Sequence, residues 1–511
     1  MTLHVASQDQ RPSLAAELDT AIVIIGAGFG GIGMGVALRN AGTTNFIITE
    51  EADQLGGVWR DNTYPGCACD VPSHLYSFSF APYRDTRQRY PGQRQILEYL
   101  DCVAHDHKLE RHLHCRTAIT EATYRDDLCR WDLTTGSGGR IRADILIFAA
   151  GQLHRPHVPA IAGMAGFTGT ITHTADWDHT QDLRGCDVAV IGTGSSAAQL
   201  LPHLAAVARK VSVYQRTPHW VLPKPAAEFG PATRALLHLP GGHHLYRQAV
   251  RWGSDLVLAP IMHRGWSARP AEWLARTHLR RSITDPALRA ALTPHYPIGA
   301  KRIIFDSHFY SALSRDNVEL VTSRIERVTE SGIKTVDNVH RNSDAIILAT
   351  GFRATEFLAP TTVRGRDGML LQQLWADGAY AFLGVAVRGF PNMYLLAGPN
   401  SFNPAGSNPT MKEAQSDYIL KCLRWQKESN ADALEVSALA DARYRQWLDQ
   451  SLAKTVWPRV TSSWYRHPNG RITNPWPATA HRYERTLRSA TPEHNFITLY
   501  RGRSGASEDR R

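Results

Sequence analysis

The chain is poor in cysteine, with seven residues in 511 at irregular spacings. That argues against a disulfide framework of the kind small secreted domains depend on, and suits free thiols in a reducing compartment. No signal-like stretch precedes the first apolar run at Ala21, so a cytoplasmic location is expected. No apolar run reaches the roughly 20 residues of a membrane span, and no membrane partner is expected. Repeats of short period are absent, which argues against a repeat architecture. Histidine is plentiful at 23, but the adjacent pair His243-His244 has no further ligand at metal spacing, so no metal is expected. A net charge of +10 would admit nucleic acid, yet the arginines are scattered and no binding motif accompanies them.

What the chain does have is a pair of glycine-rich loops, each in the order strand, loop, helix. Ala21-Ile22-Val23-Ile24-Ile25 leads into Gly26-Ala27-Gly28-Phe29-Gly30-Gly31 and then a helical stretch to Ala41. Gly26 permits the tight turn, Gly28 lets the backbone approach a pyrophosphate, and Gly31 allows close packing of helix on strand. The helix N-terminus offers free N–H groups to the anion. Glu50 closes the next apolar run, where a carboxylate accepts hydrogen bonds from ribose hydroxyls and repels a 2′-phosphate. This site suits FAD or NAD and disfavours NADP.

The second loop, Gly192-Thr193-Gly194-Ser195-Ser196-Ala197, follows the apolar run Asp187-Val188-Ala189-Val190-Ile191 and opens a helix through Ala208. The next strand ends at Gln215-Arg216-Thr217, where the first site has its acid. A guanidinium there pairs bidentately with a phosphate dianion, with Thr217 as a hydroxyl partner, so NADPH is expected. Two unlike dinucleotide sites in one chain imply electron transfer from nicotinamide to flavin. A disulfide reductase would need a paired thiol beside the flavin, but Cys67-Ala68-Cys69 is poorly spaced and reads as small apolar fillers.

At 511 residues the chain exceeds one core. The fold class expected is α/β, with two Rossmann-like dinucleotide-binding domains (FAD and NADPH) and a helical insertion in the NADPH domain. Residues 1–151 form the first part of the FAD domain, with a polar leader ahead of Ala21, and residues 152–220 the first part of the NADPH domain. Residues 221–299 form the helical subdomain, in which Ala232, Ala235 and Leu236, then Trp252, Leu256 and Ala259, have helical spacing. Residues 300–385 return to the NADPH domain and 386–511 to the FAD domain, ending in a polar tail from Gly502 onward that is expected to be disordered. A helix from about Met411 to Gln426 is placed to aim its N-terminal dipole at the flavin.

Between the loops runs Phe167-Thr168-Gly169-Thr170-Ile171-Thr172-His173-Thr174-Ala175-Asp176-Trp177-Asp178, which resembles the fingerprint of type I Baeyer–Villiger monooxygenases at Phe167, Gly169, His173, Trp177 and Asp178. Gly57-Val58-Trp59, Tyr64-Pro65-Gly66 and Asp70 resemble a second signature, and Gly299-Ala300-Lys301-Arg302 with Asp306 and Tyr310 resembles the segment that carries the family's active-site arginine. The resemblance extends from Ile22 to about Tyr483. It implies that NADPH reduces FAD, that O2 adds to give a C4a-peroxyflavin, and that its anion attacks a ketone to form an ester or lactone. It implies that Arg302 stabilises this anion and the tetrahedral oxyanion, oriented by Asp70, which also lies at the cofactor. An arginine is fit for that role because it cannot lose its proton and offers a fork of donors.

By the same resemblance Lys301 reinforces Arg216 at the 2′-phosphate, while Gly57, Trp59 and Tyr76 lie near the flavin and Trp464 near the nicotinamide. Trp59, Tyr76 and Trp464 read equally well as core aromatics. His173 reads as a hinge between nucleotide domains rather than a proton carrier, Phe167 and Trp177 as packing anchors, and Gly169 as a position needing freedom in φ. The implied partners are a small ketone and O2, with a monomer or weak homo-oligomer. The alternative is an N- or S-oxygenating flavin-containing monooxygenase, which needs the protonated hydroperoxide; Arg302 and Asp70 favour the first reading. A non-catalytic nucleotide sensor would leave Arg302 unexplained.

Overall fold

The apolar run after Thr20 forms the C-terminal half of a longer strand, Glu17–Ile25, in the computed structural model, which describes residues 17–502. Glu17 to Thr20 are therefore strand rather than leader. They pair in parallel with Arg140 to Ala143, and this backbone pairing outweighs their polarity. Beyond Gly502 the expected tail lies outside the described residues.

The strand belongs to an eight-stranded sheet ordered Thr362–Arg364, Ile119–Arg125, Arg130–Thr135, Arg140–Phe148, Glu17–Ile25, Phe46–Thr49, Leu113–His114, with Met393–Leu395 also paired to Arg140–Phe148. Its nucleotide half is parallel, and Ile119–Arg125, Arg130–Thr135 and Arg140–Phe148 form an antiparallel meander. The helix Phe29–Asn40 lies buried along most of its length between this sheet and the helix Asn408–Glu428. That later helix starts one turn ahead of the expected Met411, with Pro409 in its first turn, where a missing N–H costs nothing.

A second sheet of five strands is wholly parallel, ordered Val318–Val321, Lys210–Tyr214, Asp187–Ile191, Ala345–Leu348, Thr170–His173. Its centre reads as continuous apolar runs because helices and loops cover both faces. The chain rejoins the first sheet at Thr362–Arg364, ahead of the expected boundary at 386, because this short strand pairs with Glu121 to Thr123.

Residues 221–299 are largely helical, but Val221–Leu222 pairs with Ile304–Phe305 in a two-stranded ribbon at the base of the insert. Most of the apolar positions at helical spacing do not face the core. Leu237, not Leu236, is the buried residue of the helix Pro231–His238, and Ala232 and Ala235 are exposed. Trp252 is 52% and Leu256 59% exposed, whereas Ala259 is buried against the first core together with Met262.

Candidate active site

The first glycine loop folds as its residue types require. Gly26 has φ +103°, and a Cβ there would lie 2.8 Å from the Ala149 carbonyl oxygen. A Cβ on Gly31 would lie 1.8 Å from the Gly26 carbonyl, so this position admits only glycine while helix and strand stay packed. Gly28 faces Gly57, with a Gly28 Cβ 3.7 Å from the Gly57 Cα. The two bare backbones border a groove at the start of a helix that has no side-chain cap and no acid in its first turn, so its leading N–H groups are free for an anion. That fits a dinucleotide pyrophosphate.

Glu50 is buried at the end of Phe46–Thr49, accepting from Ala27 N–H at 2.8 Å and Ala52 N–H at 3.1 Å. Arg60, which sequence reasoning passed over, pairs with it at 2.8 Å and largely neutralises it. Trp59 is buried, and its indole donates to the Tyr76 hydroxyl at 3.1 Å with the rings edge to face. Farther along, the buried Asn400 Oδ1, Asn403 Nδ2 and Thr410 Oγ1 have no hydrogen-bond partner among the described residues. They cluster in sequence at the entry to Asn408–Glu428, another helix start without a side-chain cap, and so add polar groups able to meet a polar ring system.

The second loop differs in one informative way. Gly192 has φ +115° and a Cβ there would lie 2.4 Å from the Ala349 carbonyl, but a Cβ on Gly194 would meet nothing within 4 Å. The space beside Gly194 is open, and the helix Ser195–Val207 again begins without a side-chain cap or acid. Arg216 at the end of Lys210–Tyr214 is exposed and donates to the Ser462 hydroxyl at 3.3 Å. The Lys301 ammonium lies 5.2 Å from the Tyr296 ring and is held below the usual lysine range by burial and then by Arg216. His219 is pushed down to about 4 by burial, then by Lys301 and Arg216. This cluster of like charges is the arrangement a phosphate dianion relieves. Thr217 contributes its carbonyl to Thr193 at 3.5 Å.

Arg302 and Asp70 meet across 232 residues. Gly299 turns the chain with φ +83° and its carbonyl accepts from the buried Trp457 indole at 3.1 Å, while Ile304 and Asp306 pair with the backbone of Trp220 and Leu222. Asp306 then caps the short helix Phe309–Leu313 through the N–H groups of His308 and Phe309, which fixes the far side of Arg302. Asp70 sits in a loop tied to the second nucleotide unit by Gln199, which accepts from the Tyr64 hydroxyl at 2.9 Å and donates to the Ala68 carbonyl at 2.9 Å.

Arg302 Nη2 donates to both Asp70 oxygens, at 2.8 and 2.6 Å. Its Nη1 and Nε have no protein acceptor among the described residues, so the rest of the donor fork is available. Burial opposes the charge of Arg302, but Asp70 outweighs it and raises the guanidinium above its ordinary value. Burial would likewise raise Asp70, yet Arg302, with Lys224 beside it, holds the carboxyl below the usual range. Lys224 escaped the sequence reading; its ammonium donates to the Cys69 carbonyl at 3.0 Å and lies 4.4 Å from the Tyr90 ring. Phe402, 5.8 Å from the Arg302 guanidinium, packs edge to face with Trp464, which is only partly buried. Cys67 and Cys69 are free, and burial pushes the Cys67 thiol up to about 11 and Cys69 higher still, which disfavours redox thiolates.

The central motif lies apart from this pair. His173 Nδ1 accepts from Ala175 N–H at 3.0 Å, so its Nε2 carries the proton and donates to the Gly351 carbonyl at 3.1 Å. Phe167 packs on one face of the second sheet and Trp177 on the other, and Asp178 accepts from Thr180. Gly169 does not need freedom in φ, as it lies outside the left-handed region. It is required by space, since a Cβ would lie 2.2 Å from the Asp344 carbonyl and 2.7 Å from the Phe167 ring.

Comparison with known proteins agrees with this geometry. Residues 23–238 match the family model described as pyridine nucleotide-disulphide oxidoreductase. The chain is 37% identical over 474 residues to a Baeyer-Villiger monooxygenase of Streptomyces coelicolor, covering 91% of this chain and 90% of that protein. It superposes on an oxidized steroid monooxygenase bound to NADP with a TM-score of 0.83 at 30% identity, covering 94% of this chain and 99% of that one. A complex of OTEMO with FAD and NADP gives 0.82 at 25% identity over 92% of this chain and 97% of that one. With such identity sustained over about nine tenths of both sequences, the chain belongs to the Baeyer–Villiger monooxygenase family.

Proposed function

We propose that the protein binds FAD at the first loop and NADPH at the second, and uses them to insert one atom of O2 beside the carbonyl of a small ketone. The observation that carries this reading is the Asp70–Arg302 pair, because it leaves a permanently charged guanidinium with unused donors in a site built from both nucleotide units. Bound FAD, reduced by NADPH, supplies the activated oxygen.

The chain's own groups supply binding, orientation and charge. Arg302 keeps Nη1 and Nε available to the negative charge that develops in the reaction, which a fixed donor stabilises. Asp70 holds that fork in one orientation and, with Lys224 close by, keeps the local charge from excess. Glu50, half satisfied by the Gly26-Ala27-Gly28 turn, keeps an oxygen face for ribose hydroxyls, while Arg216, Thr217 and Lys301 gather at the 2′-phosphate. Ser195 and Ser196 open the helix that receives the second pyrophosphate. His173 acts as a structural tie within the second unit, joining the end of Thr170–His173 to the Ala349-Thr350-Gly351 turn that follows the neighbouring strand.

Product analysis by mass spectrometry after incubation with NADPH, ¹⁸O2 and a panel of ketones, amines and sulfides tests the reading. The expected product is an ester or lactone carrying one labelled oxygen. Labelled N-oxide or sulfoxide with no ester would overturn it.

A further inference from the structure

The helix Gly242–Gly253 and the π-helical turn Ser254–Leu258 that continues it are built inside out. Leu245, Ala249, Trp252 and Leu256, spaced four, three and four residues apart, form one helical stripe, and all are exposed: Leu245 61%, Trp252 52% and Leu256 59%. The charged residues Arg247 and Asp255 are buried instead. Arg247 donates to the carbonyls of His74 and Ser77 at 2.7 and 2.9 Å, and Asp255 accepts from Ala480 and His481 N–H at 3.0 and 3.1 Å. The polar face is thus fully used in holding the insert to the body, and the apolar face is left to the outside.

The next long helix, Ala268–Ser282, shows the same surface chemistry. Trp266 just ahead of it and Trp273 within it are 68% and 64% exposed, with Leu274 beside them. Among the described residues, Trp252, Trp266 and Trp273 are the only exposed tryptophans. Interleaved with them are the exposed Arg264, Arg269, Arg276, Arg280 and Arg281, none of which has a carboxylate within 4.0 Å among the described residues. The turn Ala259–His263 packs against both the π segment and this helix, so the two exposed stripes belong to one subdomain.

We propose that this face of the helical insert is a peripheral docking surface for an anionic phospholipid bilayer. Indole and leucine side chains at the level of the headgroups, surrounded by unpaired arginines, are what an interfacial element needs to gain apolar burial and charge attraction together. A second copy of the chain fits the patch poorly, because patch-on-patch association would bring together two clusters of arginines that have no carboxylate partners. This departs from the expectation of no membrane partner, which rested on the lack of a spanning run: no helix of the described residues is long and apolar enough to cross a membrane, and the proposed contact is with the bilayer surface alone.

Flotation of the flavin-loaded full chain with vesicles tests this. With phosphatidylcholine vesicles containing about a third phosphatidylglycerol, binding is expected at low salt and should fall severalfold near 0.5 M NaCl, because exposed charges are screened. Replacing Trp266 and Trp273 by Ser, or Trp252 and Leu256 by Ser, should each lower partitioning about tenfold. NADPH oxidation in solution and melting temperature, read on the same variants, should stay unchanged, which separates lost docking from lost folding. No flotation at low salt, or equal binding to pure phosphatidylcholine, overturns the proposal. So does a wild-type dimer that the tryptophan variants convert to monomer.

Discussion

Asp70 and Arg302 come from loops 232 residues apart in the chain, and their pairing rests on one nitrogen that serves two carboxylate oxygens. Arg302→Ala should still bind flavin and consume NADPH slowly, yet make ester at least about a hundredfold less well, the usual cost of a lost oxyanion donor. Wild-type ester yield from that variant would remove Arg302 from the chemistry. The partner can be probed by pH. Because the folded Asp70 carboxyl titrates below the unfolded value near 3.9, the pair's stabilisation is complete above that pH and fades as pH falls through the lowered folded value. Asp70→Asn should therefore cost about 2 kcal/mol at pH 7, where it leaves a half-buried cation without its carboxylate, and progressively less toward about pH 3. Urea denaturation at the two pH values measures the gap, and a gap that does not shrink in acid would show that the ion pair is not its source.

At the phosphate cluster, replacing Arg216 and Lys301 together by Ala should raise the Michaelis constant for NADPH about tenfold or more and that for NADH little. Equal effects would mean that neither cation reads the 2′-phosphate. Arg216 could be proposed from the order strand, loop, helix and strand end, whereas Lys301 was proposed only from the family resemblance. Arg60 and Lys224 were not, since nothing in a local pattern tells that Arg60 folds back onto Glu50 or that Lys224 reaches the Cys69 carbonyl.

Among elements, the two glycine loops look alike in sequence but carry different constraints. Gly31→Ala drives a methyl group into the Gly26 carbonyl and should cost about 3 kcal/mol or prevent folding. Gly194→Ala projects a methyl group into open space, so its melting temperature should match the wild type, while the Michaelis constant for NADPH rises about tenfold as the methyl meets the bound anion. Calorimetry with steady-state kinetics separates the two. A destabilised Gly194→Ala protein would place backbone, not ligand, beside that glycine. The central motif teaches a similar lesson: Gly169 reads from sequence as a position needing freedom in φ, but its constraint is space beside the Asp344 carbonyl and the Phe167 ring, which only the packed strands bring there.

In the whole molecule, the helical insert is held to the C-terminal segment by specific polar ties. Asp255 caps the helix Ala480–Ser489, Arg251 pairs with Glu484, and Val456 N–H reaches the Met262 carbonyl at 2.8 Å. Asp255→Ala should lower stability by about 1 kcal/mol, the usual cost of a lost cap, as read by thermal denaturation. No change would mean that the helix start is adequately capped by Thr479 alone.

The sequence by itself determined the α/β class, both dinucleotide loops and the motifs that mark the family, because each is a local pattern in which neighbouring residues act on the same turn, strand or anion. Only the tertiary structure decided the rest. It paired Asp70 with Arg302, returned the chain to the first sheet at Thr362, neutralised Glu50 with Arg60, and turned Trp252 and Leu256 outward. Helical periodicity shows that an apolar stripe exists but not which way it faces. That direction was set by Arg247 and Asp255, whose charged groups found hydrogen-bond partners only on the inner side.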